Sequence, residues 1–207
     1  MKWLVVMCCL AALLLGACVQ KAKGPEEPVF APNDAVIAAA SVEDEGYVIT
    51  VGDFVAVSSA SRPTVDSVGR VQDDGTVPLN EVGYVRAAGS SITQFAETLG
   101  TLYKEVPGYE GGVADLVVEV KLGLYLVTGE VTSSGFRTYE EGLTLYDAMM
   151  SAGKLTGRAL EDRVFLSRKG VDGREIIRYS KLEQLKELAL KENDWIVVPH
   201  KVDFILH

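Results

Sequence analysis

The chain has 207 residues, 48% of them hydrophobic, which is enough for one or two small domains with packed cores. Its formal charge is −9 and no basic run breaks the acidic balance; such a surface repels phosphate backbones and argues against a nucleic-acid partner. The two histidines, His200 and His207, lie in the terminal tail, so an imidazole triad or a histidine metal cluster inside the folded body is not expected.

Residues 1–15 carry a single positive charge, Lys2, ahead of an apolar run shorter than the ~20 residues of a membrane span, which is the shape of a secretory signal. The run ends Leu15-Gly16-Ala17-Cys18, with small residues directly before a cysteine. That ending resembles the bacterial lipobox. The resemblance implies cleavage between Ala17 and Cys18, diacylglycerol on Cys18, and sorting to the outer membrane, since Val19 rather than an aspartate follows. An ordinary signal peptide, or a membrane anchor that happens to contain a cysteine, is the alternative. Cys8 and Cys9 leave with the signal, so a mature chain keeps Cys18 alone and forms no internal disulfide or thiolate metal site. At about 0.8 kcal/mol per buried methylene, several acyl chains hold a protein on a bilayer almost permanently. Residues 18–46 are rich in alanine, proline and acids without a sustained apolar period, and read as a flexible tether of ~30 Å as a coil or ~95 Å pulled straight.

Residues 47–122 read as a compact α+β domain. Tyr47-Val48-Ile49-Thr50-Val51 and Phe54-Val55-Ala56-Val57 are strand-like runs pivoting at Gly52-Asp53. Residues 67–72 and 76–79 bracket Asp73-Asp74-Gly75, a tight-turn signal, and 82–85 is a further short strand. Ser91 with Gln94 forms a capping box for a helix whose apolar stripe (Ile92, Phe95, Ala96, Leu99, Leu102, Tyr103 and Val106) stops at Pro107-Gly108. Leu116, Val118, Val120 and Leu122 then alternate with Val117, Glu119 and Lys121 as one more strand.

Residues 123–199 form a second unit. Leu124, Leu126 and Thr128 alternate with Tyr125, Val127 and Gly129, Ser133-Ser134-Gly135 supplies a turn, and 136–139 returns as a strand. Leu145, Ala148, Met149 and Ala152 fall on one helical face that Thr144 caps and Gly153 ends. Residues 163–168 and 175–179 flank Asp172-Gly173, a hairpin signal. Leu182, Leu185 and Leu188 mark a short amphipathic helix, and 194–199 closes the unit as a strand that Pro199 stops. The order hairpin, helix, hairpin, helix, strand predicts a β-grasp-like α+β arrangement, with 200–207 as a tail.

The motifs carry two resemblances. Gly129-Glu130-Val131 with Gly135, Leu145 with Ala148, Ala152-Gly153, Val164 with Leu166 and Arg168, and Asn193-Asp194 with Ile196 and Val198-Pro199 look like the soluble-ligand-binding β-grasp (SLBB) domain, although Lys154 stands where a second glycine is usual. Upstream, Tyr47, Ile49 and Val51-Gly52-Asp53, then 74–79 (DGTVPL), Val82-Gly83-Tyr84-Val85 and Ala88-Gly89 resemble the N-terminal domain of the outer-membrane auxiliary (Wza-like) polysaccharide export proteins. In that family the domain is followed by SLBB repeats and the precursor is a lipoprotein. The resemblance implies a lipid-anchored outer-membrane component facing the periplasm, a homo-oligomeric ring that conducts exopolysaccharide or capsule without cleaving it, and an inner-membrane co-polymerase, often coupled to a tyrosine kinase, as partner. After Pro199 no second SLBB domain and no pore-lining amphipathic helix follows, so the chain resembles the short members.

Enzymatic readings find little in the residues. Ser58-Ser59 and Ser90-Ser91 occupy turn or capping positions with no base nearby. The acid pairs Asp73-Asp74, Glu140-Glu141 and Glu161-Asp162 are the types a glycosidase uses, but each adjoins a turn glycine or opens an element, where solvated turn chemistry accounts for them. Ala152-Gly153-Lys154 lacks the remaining residues of a phosphate loop. No catalytic, metal or cofactor site is expected. Tyr125, Tyr139 and Trp195 are candidates for stacking on sugar rings, with half-buried packing as the plainer account. A periplasmic glycan- or small-ligand-binding lipoprotein that forms no channel is the alternative function, and a surface glycan hydrolase or lyase a third.

Overall fold

The structure is a computed structural model describing residues 29–42, 46–171 and 173–201. The expected signal, Ala17, Cys18, Asp172 of the hairpin turn and His207 lie outside the described residues.

In the first module β1 (Phe54–Ser59) is the central strand of an antiparallel sheet, flanked by β2 (Ser67–Arg70) and β5 (Leu116–Lys121). Alternation along β1 sends Val55 and Val57 to one face and Phe54 and Ala56 to the other. The Val55 face receives α2 (Ile92–Tyr103), whose start is fixed by the expected Ser91/Gln94 capping box. Phe95, Leu99 and Tyr103 on α2 are fully buried there, each apolar side chain contributing about 1.5–3 kcal/mol. A hairpin of β3 (Thr76–Leu79) and β4 (Gly83–Arg86) closes the core through Val77, Leu79 and Val85.

Two local expectations change. Residues 47–51 make only the isolated bridge between Val48 and Ser91. Asp53 Oδ2 instead accepts from the Thr50 backbone and hydroxyl and ties this run into a turn, the competition with ladders that short polar side chains offer. The turn at 72–76 forms, with the Gly75 amide donating to the Gln72 carbonyl, but β2 and β3 enter different sheets. Pro78 has no N–H to give a ladder with β2.

The second module holds β6 (Leu124–Gly129), β7 (Gly135–Thr138), α3 (Leu145–Ser151), β8 (Arg163–Ser167), β9 (Glu175–Arg178) and β10 (Trp195–Val198). Its sheet runs β7-β6-β10-β8-β9, with β10 parallel to β6 and every other pair antiparallel. The last strand thus enters between the two hairpins, as a β-grasp arrangement requires. Thr144 caps α3 through a reciprocal pair with Asp147, and Leu145, Ala148, Met149 and Ala152 are buried against Tyr125, Val127, Ile196 and Val198. Residues 182–187 form a 3₁₀ helix rather than an α-helix. Leucines spaced three apart fit three residues per turn; Leu185 is buried while Leu188 is exposed.

A third apolar cluster joins the modules. Phe54, Ala56 and Val68 of the first sheet meet Leu124, Leu126, Phe136, Trp195 and Val197 of the second, so the sheets lie back to back with α2 and α3 on the outer faces. Phe54 packs edge-on to Phe136 at 5.0 Å.

The tether expected over 18–46 is corrected at 29–42, which pack as a strap on this junction. Phe30 bridges Val68 at the β2 edge, and Ser41 bridges Lys121 at the β5 edge. Between them lies α1 (Asp34–Ala38), capped by Asn33, whose Nδ2 also donates to the Phe136 carbonyl at 2.9 Å. Val36 is 1% exposed. The strap lacks a period because Phe30 and Val36 are anchored singly, by long-range contacts rather than by a repeating face. Among the described residues no helix is long and apolar enough to cross a membrane.

Candidate functional site

β1 ends at Ser59 and its antiparallel neighbour β5 begins at Leu116, so the segments 59–66, 80–82 and 104–115 converge at the end of the first module away from the second. Pro63 opens a 3₁₀ turn there, and the chain after α2 turns at Pro107-Gly108. Between them is an open cleft of about 440 Å³ lined by Ser61, Arg62, Thr64, Gly108, Tyr109 and Glu110.

Its walls are tightly cross-linked. Asp115 accepts from Ser59 Oγ at 2.5 Å, Ser61 Oγ at 2.7 Å, the Ser61 amide at 3.1 Å and Tyr109 Oη at 3.2 Å. The hydroxyls of Ser59 and Ser61 hold the Asp115 carboxyl below the usual carboxylate range. Burial, and then the neighbouring Asp115, push the Tyr109 phenol up, so it stays a donor. On the other wall Arg62 Nη2 donates to Glu81 Oε1 at 3.1 Å, Nε to Thr64 Oγ1 at 3.1 Å and Nη1 to the Pro107 carbonyl at 2.9 Å. Thr64 Oγ1 donates to the same Glu81 oxygen at 2.7 Å. Glu81 sits at φ +64 with the Val82 amide donating to the Asn80 carbonyl, a γ-turn with a left-handed central residue, which is a strained conformation.

The module junction holds a second polar cluster. Lys169 Nζ donates to Asp53 Oδ1 at 2.5 Å and to Tyr47 Oη at 3.3 Å, while Tyr47 Oη donates to Asp53 Oδ2 at 2.8 Å. Burial alone would lower the Lys169 pKa, but the hydrogen bond and charge of Asp53 outweigh it and the net shift is upward. Arg168 grips the fully buried Asp194 with two bonds of 2.8 Å. These motif residues therefore hold backbone and modules in place.

The aromatic candidates separate. Tyr125 is 3% exposed, its hydroxyl 3.0 Å from Ser151 Oγ. Trp195 is 2% exposed, donates from Nε1 to Thr128 Oγ1 at 2.8 Å, and has the Arg174 guanidinium 4.3 Å from its ring centroid. Neither presents a ring face to a sugar; both are packing residues because each lies on an inner face of the second sheet. Tyr139 is half-buried against the second core. The acid pairs are dispersed. Asp74 accepts from the Thr76 amide and hydroxyl, and Asp162 pairs with Arg163; these bonds lower both pKa values, the opposite of what a general acid needs. Sequence reasoning missed Arg62, Glu81, Glu110 and Asp115, whose usable signal was that the loops at one end of an antiparallel pair must meet.

Residues 41–122 match the family model described as polysaccharide biosynthesis/export protein. Over this segment the chain is similar to the polysaccharide biosynthesis/export protein family. The export segment contains the whole cleft, along with Asp53 and the α2 core. It links the chain to polysaccharide export in the cell envelope, and the family is one of transport components, not enzymes. No curated protein matches the chain.

Proposed function

We propose that this chain is a lipid-anchored component of a polysaccharide export channel. Acylated at Cys18 and facing the periplasm from the outer membrane, copies assemble head to tail into a closed ring whose polar lumen conducts exopolysaccharide or capsule without cleaving it. A conduit needs only weak, repeated polar contacts that allow both entry and release. The partner is an inner-membrane polysaccharide co-polymerase with a periplasmic domain, coupled to a tyrosine kinase, and no cofactor takes part.

The observation that carries this reading is the export-family match over residues 41–122. The sheet that follows, with its final strand between two hairpins, supports the assignment of 123–199 as one SLBB domain. The test is deletion of the gene. Surface polysaccharide is lost while cytoplasmic precursors persist, and a Cys18→Ser version leaves the membrane fraction; export that continues unchanged in the deletion strain overturns the proposal.

A further inference from the structure

We propose that the cleft between the 59–66 and 104–115 segments is a contact site for uncharged saccharide units of the exported polymer. This rests on the export reading above and names the part of the export segment that touches the cargo.

The groups left over in the cleft are those that bind vicinal hydroxyls. Among the described residues the Glu110 carboxylate makes no hydrogen bond or ion pair, so both of its oxygens can accept. Arg62 spends Nε and one hydrogen each of Nη1 and Nη2 on its own wall, which leaves a hydrogen on each terminal nitrogen to donate. An acceptor fork and a pair of donors across one cleft match a diol, whose oxygens both donate and accept.

Charge selects against acidic sugars. The lining residues and their direct partners include one cation, Arg62, against the carboxylates of Glu81, Glu110 and Asp115. A uronate brought here meets net negative charge, whereas a neutral hexose meets dipoles and hydrogen-bonding groups.

The site is also held rigid. Glu81 keeps its strained γ-turn while its carboxylate fixes Arg62 and Thr64, and strain of this kind collects where a side chain must be aimed. Glu81 is thus a positioning residue for the Arg62 fork. The opening suits a polymer rather than a small metabolite. A volume of about 440 Å³ is of ligand-pocket size, yet the cleft is open on its outer side, so a chain can lie across it and leave again.

The experiment uses full-length protein in detergent micelles and, as probes, the uncharged fraction of mild-acid fragments of the host's own surface polysaccharide, separated by anion exchange, together with hexagalacturonate, with binding read by calorimetry. Neutral fragments bind in the millimolar to high-micromolar range and hexagalacturonate binds at least 10-fold more weakly. Glu110→Ala, a change at an exposed side chain that leaves the fold alone, weakens neutral-fragment binding at least 5-fold. Glu81→Gly, which removes the carboxylate and relieves the φ, weakens it as well with an unchanged circular dichroism spectrum, and shifts the Arg62 side-chain resonances. In the deletion strain the wild-type gene restores surface polysaccharide, and the Glu110→Ala, Thr64→Ala double variant restores less. If the double variant restores export fully and Glu110→Ala binds fragments as the wild type does, the cleft is not the contact site while the export reading stands. Tighter binding of hexagalacturonate than of neutral fragments also overturns the proposal. Export that does not depend on the gene at all sinks the export reading instead.

Discussion

Lys169 and Asp53 stand 116 residues apart in sequence and meet at 2.5 Å across the junction of the two modules. Asp53 is 1% exposed and is met by this partner and by the Tyr47 and Thr50 donors. Replacing Lys169 by Met leaves the carboxylate buried with only the Tyr47 and Thr50 hydroxyls and the Thr50 amide, and no cation, beside it. Because about a third of the lysine side chain is open to solvent, the expected loss is about 1–3 kcal/mol, below that of a fully buried pair. Chemical denaturation measures it, and pairing Lys169→Met with Asp53→Asn should recover part of the loss. The raised lysine pKa fixes the sign with pH: the stabilisation is complete below 10.5 and fades as pH climbs through the higher folded value. Base titration of the wild type should show this alkaline loss and Lys169→Met should not.

Gly129 ends β6 at φ +88, and a Cβ there would lie 2.1 Å from the Val198 carbonyl oxygen. That oxygen accepts the Glu130 amide in the parallel pairing with β10, so it cannot retreat cheaply. Gly129→Ala is expected to cost at least ~3 kcal/mol, combining backbone strain with a broken ladder, and to yield a large drop in thermal midpoint.

The strap guards both edges of the β2-β1-β5 sheet. A chain beginning after residue 42 loses Val36 and Phe30 from the shared core, a cost of at least ~2 kcal/mol, and bares the backbone at Val68 and Val120. Open edges invite pairing between molecules. Light scattering should show concentration-dependent association of the truncated protein and none of the intact one at equal concentration.

Asp115 makes the opposite pH statement from Lys169. Its folded pKa is depressed by Ser59 and Ser61, so its contribution is present above 3.8 and disappears only as pH falls through the lower folded value. The Ser61 amide, which donates to Asp115 Oδ1, should keep its hydrogen-exchange protection factor from pH 7 to pH 4 and lose it in Asp115→Ala, which removes the acceptor, at every pH.

Features coded by neighbours in sequence were readable in advance. The Ser91/Gln94 box, the Thr144 cap, the four-residue face of α3 and the order of elements in the second module all follow from local spacing. What escaped depends on distant partners. Phe30 acquires meaning only from Val68 and Phe136, and Ser61 only from Asp115, 54 residues later. Trp195 looked available for stacking because alternation identifies two faces of a strand without saying that both are covered; the second sheet's outer-looking face is buried by the first. The cleft was invisible for the same reason, since none of its loops has a period and their meeting is a product of strand pairing.

Because the strap is packed from Val29 onward, the chain between Cys18 and Val29 can reach at most about 36–40 Å under the Cys18 proposal, rather than ~95 Å. So short a cord leaves little room to roam. It would suspend each copy close beneath the bilayer and restrict which side can turn toward the lipid, so neighbours would arrive already confined to a thin layer and partly aligned before they touch.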